Sequence, residues 1–251
     1  QEVRAPQNEI DPIFDEFGFE YATAGRIADQ SGLDRMNEIC RIKGRAGVGL
    51  LSALPVIDKR YGLPGLAEDV DSGRWIEADV KTPQGYTVTV VCVYVHAGNT
   101  DDPEKMKQKY RFLDTMLVRM GQLRDEAAHG GKQAVLCGDF NIAHTPLDIK
   151  NAKANEKHAG FLPEERAYVD KWLGELEFVD VMRSLCGDIQ GPYTWWSQRG
   201  RAFDNNVGWR IDYQFATPEL AETARGFVID KAPTYDLRWS DHAPLSITYD
   251  V

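Results

Sequence analysis

A carboxylate and an amide follow a short apolar run in the middle of the chain. Residues 134–137 are apolar and lead directly into Gly138-Asp139-Phe140-Asn141. A run of this kind, bounded by glycine, predicts a buried strand that ends in a polar turn. Because residues two apart on a strand point to the same face, Asp139 and Asn141 should lie side by side at the mouth of a sheet. Such a pair could orient a water molecule or hold a metal, although Gly, Asp and Asn are also the ordinary residues of turns.

Three further positions carry acidic groups that could act with this pair. Glu2 stands at the chain start, Asp212 lies in a predicted strand, and Asp241-His242 directly precede the last strand. Carboxylates prefer the hard cations Mg²⁺ and Mn²⁺, and an imidazolium near a phosphate offsets charge that develops during reaction. Taken singly, Asp241-His242 could be a capped turn and Asp212 could pair with Arg210. Together, in a sequence without a serine elbow, a Walker loop or a Cys/His cluster, they indicate metal-assisted phosphoester hydrolysis.

The composition is that of a globular protein with ample core. The chain has 251 residues, of which 43% are hydrophobic and 27% charged, and its net charge is −10. This length allows one large domain or two small ones. The acidic balance argues against an extended nucleic-acid coat, but it leaves room for a local basic groove.

The cysteine pattern predicts a reducing compartment. Cys40, Cys92, Cys137 and Cys186 are far apart and form no CxxC pair. We therefore predict a cytoplasmic protein without a zinc site. The sequence has no apolar run long enough to span a bilayer, so we expect no membrane partner.

Strands are the main elements that must position these residues. Residues 74–80 alternate as a half-buried strand does, and residues 87–95 are rich in Val and Thr, so the two should form an antiparallel hairpin around a turn at residues 83–85. The other predicted strands cover residues 47–52, 178–181, 193–196, 210–216 and 245–249, and residues 10–34 are predicted to form surface helix and loop.

Two helices and one long loop complete the prediction. Asp102-Pro103 should open the first helix, with Asp as N-cap. Its predicted apolar stripe consists of Met106, Tyr110, Leu113, Leu117 and Met120. Residues 145–161 are predicted to be a polar loop and residues 163–176 a second helix. Because strands outnumber helices, two packed sheets with helices outside fit better than a simple βαβ series.

Five short motifs occur in a fixed order along nearly the whole chain. They are Gln1-Glu2, Tyr94-Val95, Gly138-Asp139-Phe140-Asn141, Gly208-Trp209-Arg210-Ile211-Asp212-Tyr213 and Ser240-Asp241-His242. This order resembles the exonuclease III / apurinic-apyrimidinic (AP) endonuclease family of the endonuclease/exonuclease/phosphatase superfamily. The loop at residues 148–166 looks like the DNA-repair branch. The resemblance implies a four-layer α/β sandwich, with two packed mixed β-sheets flanked by helices. It also implies a single catalytic domain over residues 1–251 that lacks the family's N-terminal Asn-x-Asn strand.

The resemblance implies a metal site built from oxygen ligands. Glu2 and Asp241 match metal-binding carboxylates of the family. Asp139 would orient or deprotonate the attacking water, Asn141 would hold that water or the phosphate, and both could touch a second metal. The implied cofactor is Mg²⁺, for which Mn²⁺ should substitute.

The resemblance also implies residues that contact the phosphate. Asp212 would hydrogen-bond His242 and favour its protonated form, and His242 would then donate to a phosphate oxygen. Tyr94 matches a family tyrosine whose hydroxyl contacts the phosphate.

A further set of residues is expected to contact DNA. Trp195 and Trp209 would line a pocket for a base-less sugar extruded from the duplex, although the cluster they form with Trp196 could equally be core. The candidate backbone contacts are Lys150, Asn151, Lys153, Asn155, Lys157, Arg199 and Arg201, whose alternative is a solvated polar loop. We expect His144 and Asp148 to brace this loop structurally.

The sequence as a whole predicts a Mg²⁺-dependent DNA-repair phosphodiesterase. It should cut duplex DNA 5′ to abasic sites, leave a 3′-hydroxyl and also act as a 3′-to-5′ exonuclease or clean 3′ ends. The expected partner is double-stranded DNA with abasic sites or 3′ ends, bound by a monomer. The alternatives are a phosphoesterase of the same superfamily acting on small or lipid phosphates, and a catalytically silent DNA-binding homologue.

Overall fold

The structure, a computed structural model, describes the backbone of residues 34–38 and all of residues 46–67 and 72–251. Glu2 and the helix predicted within residues 10–34 therefore lie outside the described residues, apart from Asp34. The chain divides into two compact units, residues 1–94 with 121–138 and 251, and residues 95–120 with 139–250. The described residues form a mixed α/β fold with a main sheet of six strands and two sheets of two strands, which confirms the predicted α/β class.

The first unit contains the first five strands that the structure describes and all of the sixth except its last residue. Its strands are β1 (Asp34–Glu38), β2 (Val48–Ser52), β3 (Val56–Tyr61), β4 (Trp75–Lys81), β5 (Thr87–Tyr94) and β6 (Gln133–Asp139). Strands β3 to β6 follow one another in the main sheet, and β1 pairs with β2. Strands β4 and β5 pair antiparallel from Trp75↔Val93 to Lys81↔Thr87, which confirms the predicted hairpin.

The prediction that β4 is half-buried is wrong. Every residue of the strand except Lys81 is buried, including the carboxylates of Glu77 and Asp79. Arg60 from β3 explains this burial, because its Nε donates to Glu77 at 2.8 Å and its Nη2 donates to Asp79 at 2.8 Å. A buried carboxylate is stable only when it is paired and hydrogen-bonded, and the unpredicted strand β3 supplies the partner.

Helix α1 (Pro103–Ala128) begins where Asp102-Pro103 predicted it. The Lys105 N–H donates to Asp102 Oδ1 at 3.3 Å, which confirms the N-cap. The predicted stripe is right at Met106 and at two other positions, whereas Tyr110 and Leu117 are only half-buried. The buried face of the helix includes Lys109 instead. The Lys109 side chain is 0% exposed, and its buried polar partners make this burial possible.

The second unit contains the remaining elements. They are α2 (Ala152–Asn155), α3 (Pro163–Gly174), β7 (Val179–Asp180), α4 (Val181–Cys186), β8 (Asp212–Ala216), α5 (Pro218–Glu222), β9 (Ala224–Ile229) and β10 (Leu245–Tyr249). Strand β8 pairs antiparallel with β7, and β9 with β10. The predicted strand at residues 193–196 is wrong, because Trp195 makes only isolated bridges there. No helix within the described ranges combines the length and apolarity needed to cross a bilayer.

Candidate active site

Asp139 and Asn141 are in direct contact at the end of β6. Asp139 is 1% exposed and accepts from the Asn141 backbone N–H at 2.8 Å and from Asn141 Nδ2 at 2.8 Å. Asn141 Nδ2 also donates to the carbonyl of Val95 at 3.0 Å. Both hydrogens of the amide are therefore engaged, and Oδ1 is the atom with which this side chain could accept from a water or bind a metal.

The predicted proximity of the two side chains is confirmed, but the reason differs from the predicted one. Strand β6 ends at Asp139, so the two residues do not share a strand face. Asn141 adopts the left-handed conformation with φ +50°, which asparagine tolerates better than most residues. This turn brings the amide back onto the carboxylate.

The other two residues of the motif fix its place in the fold. Phe140 is 0% exposed, its N–H donates to the carbonyl of Ile211 at 2.9 Å, and its ring packs edge-on against Phe215 at 4.9 Å. Gly138 has φ +148°, and a Cβ there would lie 1.9 Å from the carbonyl oxygen of Val93. Only glycine allows the two backbones to approach this closely, so each position of the motif has a distinct task.

His242 and Asp212 form a second pair in the same unit. The Nδ1 atom of His242 lies 2.9 Å and 3.1 Å from the two carboxylate oxygens of Asp212, which confirms the predicted hydrogen bond. Burial lowers the pKa of His242, but the hydrogen bond and charge of Asp212, together with the charges of Asp139 and Asp241, raise it to about 9. With Nδ1 held by Asp212, Nε2 is the nitrogen that can donate to a substrate.

Two tryptophans connect this pair to the remaining acid. Trp195 Nε1 donates to Asp241 Oδ2 at 3.0 Å, and Trp195 forms isolated bridges with His242 and Trp209. The two rings meet edge to face with centroids 6.0 Å apart. Both are half-buried, whereas Trp196 is 2% exposed and belongs to a core cluster. The core alternative therefore fits Trp196, and the pocket role of the other two stays a prediction.

The candidate DNA-binding loop is less polar than predicted. Ile149 and Phe161 are buried with Ala143 and Ile211 in a cluster that supports both Trp195 and Trp209. The loop and the candidate pocket therefore pack against the same apolar cluster. It also contains a 3-10 turn at Pro146–Asp148 and helix α2, which the sequence reading missed.

Most of the candidate DNA contacts lie on exposed parts of this unit. Asn155 is half-buried, and its Nδ2 donates to the Asn151 carbonyl at 2.8 Å, so this amide is engaged within the loop. Arg201 Nε lies 3.3 Å from Asp204. The exposed members are Lys150, Asn151, Lys153, Lys157, Arg199 and Arg201, and their contact with DNA stays a prediction.

A buried ion pair that the sequence reading missed supports Asn141. Lys109 and Glu165 are both 0% exposed, and their charged groups lie 2.5 Å apart. The Lys109 ammonium also donates to the carbonyls of Asn141 at 2.9 Å and Ala97 at 3.1 Å. Burial lowers the pKa of Lys109, and the charges of Glu165 and Asp139 oppose that shift. Lys109 falls on the buried side of an amphipathic helix, where an unpaired lysine is almost never found. This position in the sequence pattern was the signal for a buried acidic partner.

Arg210 does not pair with Asp212. It is 0% exposed, its Nε donates to Asp148 at 2.7 Å, and its Nη1 lies 2.7 Å from Asp180. Arg183 also contacts Asp148, at 2.5 Å. The expected structural role of Asp148 is therefore confirmed, and Asp212 pairs with His242 instead.

The Asp148 cluster predicts a specific acid sensitivity. Burial raises the pKa of Asp148, but Arg210, Arg183 and the Thr145 N–H lower it to about 2, below its usual 3.8. Because the folded-state pKa is depressed, the carboxylate stabilises the fold fully above about pH 4 and loses that contribution as the pH falls toward 2. The shift corresponds to roughly 2 kcal/mol of unfolding free energy.

Urea unfolding of wild type and Asp148→Asn between pH 7 and pH 2.5 measures this contribution. We expect a stability gap of roughly 2 kcal/mol at pH 7, because Arg210 and Arg183 each lose one anionic partner while Asp180 still pairs with Arg210. The gap should narrow in acid, and a gap independent of pH would contradict the assignment. Asp188→Asn, at an exposed loop position, is the matched control and should produce no gap.

The other two predicted site residues are Glu2 and Tyr94. Glu2 lies outside the described residues. Tyr94 ends β5 in the first unit, where the Arg74 guanidinium stacks 4.5 Å from its ring centroid and donates to its carbonyl. The role of each stays a prediction.

The donor chemistry fits a hard divalent cation. Asp139 and Asp241 offer carboxylate oxygens and Asn141 an amide oxygen, which are the ligands that Mg²⁺ prefers. Within the described ranges, however, no three His, Cys, Asp or Glu side chains form a complete metal site. Glu2, the other predicted carboxylate ligand, lies outside those ranges.

Comparison with known proteins places the chain in a family of phosphoester hydrolases. Residues 1–242 match the Endonuclease/Exonuclease/phosphatase family, and the chain belongs to that family. This result confirms the resemblance found in the sequence. The family depends on divalent metal, in agreement with the oxygen donors at the site.

Several of the relatives that the chain matches are named as nucleases. An exodeoxyribonuclease from Bacillus subtilis is 32% identical over 209 residues, which cover 83% of this chain and 76% of the relative. The structure of an AP endonuclease from Archaeoglobus fulgidus matches with a TM-score of 0.80 and 28% identity, covering 100% of this chain and 87% of that chain. A 3′-5′ exonuclease from Neisseria meningitidis matches with a TM-score of 0.73 and 29% identity, covering 88% and 80%.

Proposed function

We propose that this protein is a Mg²⁺-dependent DNA-repair phosphodiesterase that incises duplex DNA 5′ to abasic sites and also acts at 3′ ends. The observation that carries the proposal is the presence, in one unit, of the Asp139–Asn141 pair and the Asp212–His242 pair. The named activities of the relatives, an exodeoxyribonuclease, an AP endonuclease and a 3′-5′ exonuclease, support DNA as the substrate.

The two pairs divide the reaction between them. Asp139 is a carboxylate that Asn141 holds in place at 2.8 Å, and a carboxylate can accept the proton of an attacking water. The water oxygen bonds to phosphorus, the bond from phosphorus to the 3′-oxygen breaks, and the departing 3′-oxygen takes up a proton from solvent, which leaves a 3′-hydroxyl and a 5′-phosphate. His242, held through Nδ1 by Asp212, donates from Nε2 to a phosphate oxygen and offsets the charge that develops there.

The metal would be held by Glu2 and Asp241, with Asp139 and Asn141 available to a second ion. Bound Mg²⁺ supplies Lewis-acid stabilisation of the phosphate and makes water easier to deprotonate. We place the Tyr94 hydroxyl on the phosphate as a further donor. We expect Mn²⁺ to substitute, because it accepts the same oxygen ligands.

The DNA is proposed to follow the exposed basic loop toward the half-buried tryptophans. Trp195 and Trp209 would receive the extruded base-less sugar beside Asp241, which Trp195 contacts at 3.0 Å.

DNA affinity should fall steeply with salt. The net charge is −10, so attraction is confined to the candidate cations of the second unit. Neutralising five phosphates gives a slope of log K against log salt of about −4.5. Replacing Lys150, Lys153 and Lys157 together by Ala should reduce the slope by about 2.7 units, because three phosphate contacts are lost.

Fluorescence anisotropy between 50 and 200 mM salt measures the slope. The matched control is Lys105→Ala with Lys107→Ala, because both lysines are exposed on α1 and should leave the slope unchanged. An affinity that stays flat over this range would contradict a groove that contacts phosphates.

A substrate panel tests the proposed function against its alternatives. The protein is incubated with an abasic duplex, a duplex with a recessed 3′ end, and small and lipid phosphoesters. We expect turnover of the two DNA substrates and little of the others. Preference for small or lipid phosphates would favour a phosphoesterase, and binding without cleavage of any DNA would favour a catalytically silent homologue.

A further inference from the structure

An exposed tryptophan lies in the loop that leads into Asp241 and His242. Trp239 is 88% exposed, the highest value for any large hydrophobic residue in the part of the chain that the structure describes. Its neighbour Leu237 is 67% exposed. Single exposed apolar side chains are ordinary on protein surfaces, so the support and position of Trp239 decide whether it has a role.

The backbone of Trp196 holds the loop on both sides of Trp239. Arg238 Nη1 donates to the Trp196 carbonyl at 3.2 Å, and the Trp196 N–H donates to the Asp241 carbonyl at 3.0 Å. The Arg238 guanidinium also stacks over the ring of Tyr235 at 4.1 Å. Only two residues lie between the two anchored positions, so little loop freedom is left to lose when the indole binds a ligand.

The loop position also limits what the indole can reach. Trp239 precedes His242 by three residues, so their Cα atoms are at most about 11 Å apart. A DNA strand rises about 3.4 Å per nucleotide. A phosphate bound at His242 therefore brings the bases of its nearest neighbours within reach of Trp239.

The position of Trp239 favours a nucleic acid over an apolar partner. Asp241 and His242, which are proposed to act on the metal and the phosphate, follow it by two and three residues. An exposed aromatic face on an anchored loop beside such a site can bind an unpaired nucleotide, because every base has a face that can stack.

We propose that the Trp239 indole stacks on a nucleobase that lies next to the phosphate that is cut and has no stacking partner on one face. This inference rests on the proposed nuclease function. An abasic site and a 3′ end share one feature, which is a neighbouring base that has lost its stacking partner on one side. Trp239 would cover that face and so favour damaged or terminal DNA over intact duplex, whatever the base.

The test compares Trp239→Ala with Trp239→Phe and with Leu237→Ala as a matched exposed neighbour. Binding is measured in an Asp139→Asn background, with 2-aminopurine beside the abasic site. We expect Trp239→Ala to weaken binding to the abasic duplex about tenfold, or about 1.4 kcal/mol, and to lose fluorescence quenching on binding. Trp239→Phe should retain most of both signals, and Leu237→Ala should match the parent.

A second measurement separates stacking from damage to Asp241 and His242. For this measurement the variants keep the natural Asp139. With enzyme in saturating excess over abasic DNA, the single-turnover rate of cleavage should be the same in Trp239→Ala and wild type. A slower bound rate, unchanged affinity, or an equal loss in Leu237→Ala would overturn the inference. If wild type cuts abasic DNA and Trp239→Ala binds it normally, only this inference fails. If wild type cuts no DNA, the proposed function fails and the inference with it.

Discussion

Replacing Asp139 by Asn should lower kcat on abasic duplex DNA by about 10³-fold, within the range by which a general base contributes. The substitution preserves shape but removes the group that accepts the proton of the attacking water. The dissociation constant for DNA should change by less than about threefold, because the lysines and tryptophans that are proposed to contact DNA are untouched. Single-turnover cleavage and anisotropy on the same duplex measure the two quantities separately.

The control for this variant must also remove one negative charge. Asp188→Asn does so at an exposed position outside the candidate site and should leave kcat unchanged. Unchanged thermal unfolding of Asp139→Asn would show that the loop around Asn141 is intact. Full activity in a folded Asp139→Asn variant would contradict the role assigned to this carboxylate.

Replacing Lys109 by Met should cost about 3–5 kcal/mol of unfolding free energy, because Glu165 then remains as an uncompensated buried charge. Turnover should also fall at least about tenfold, because the Asn141 carbonyl loses a charged donor at 2.9 Å and the left-handed turn that presents the amide loses its support. Urea unfolding and single-turnover kinetics measure the two effects.

A double variant separates stability from positioning. Lys109→Met with Glu165→Gln removes the uncompensated charge, so most of the stability should return, whereas the contact to Asn141 stays lost and turnover should stay low. Lys105→Met, at an exposed position of the same helix, should alter neither quantity. Joint recovery of stability and turnover in the double variant would show that Lys109 acts on the fold alone.

The sequence predicted the contacts that depend on side chains within short motifs. Asp139 and Asn141 meet as expected, and Asp212 meets His242, because the motifs hold them at strand ends that the fold brings together. The hairpin and the start of α1 were also predictable, since turn residues and an Asp-Pro cap are local signals.

The features that the sequence did not reveal depend on long-range partners. Burial of Lys109 requires Glu165, which is 56 positions away in the chain, and burial of Glu77 requires Arg60 from a strand that local patterning did not show. The left-handed turn at Asn141 likewise requires a carbonyl acceptor at Val95. Propensity and periodicity describe neighbours in sequence, so they assign a lone charged residue to the surface even where a distant partner allows its burial.

Incubation of the protein with a duplex that carries one abasic site, in Mg²⁺ and in EDTA, tests the central claim most directly. We expect a single nick immediately 5′ to the abasic site in Mg²⁺, with a 3′-hydroxyl on the upstream product, and no nick in EDTA. A protein that binds this duplex in Mg²⁺ but leaves both strands intact would contradict it.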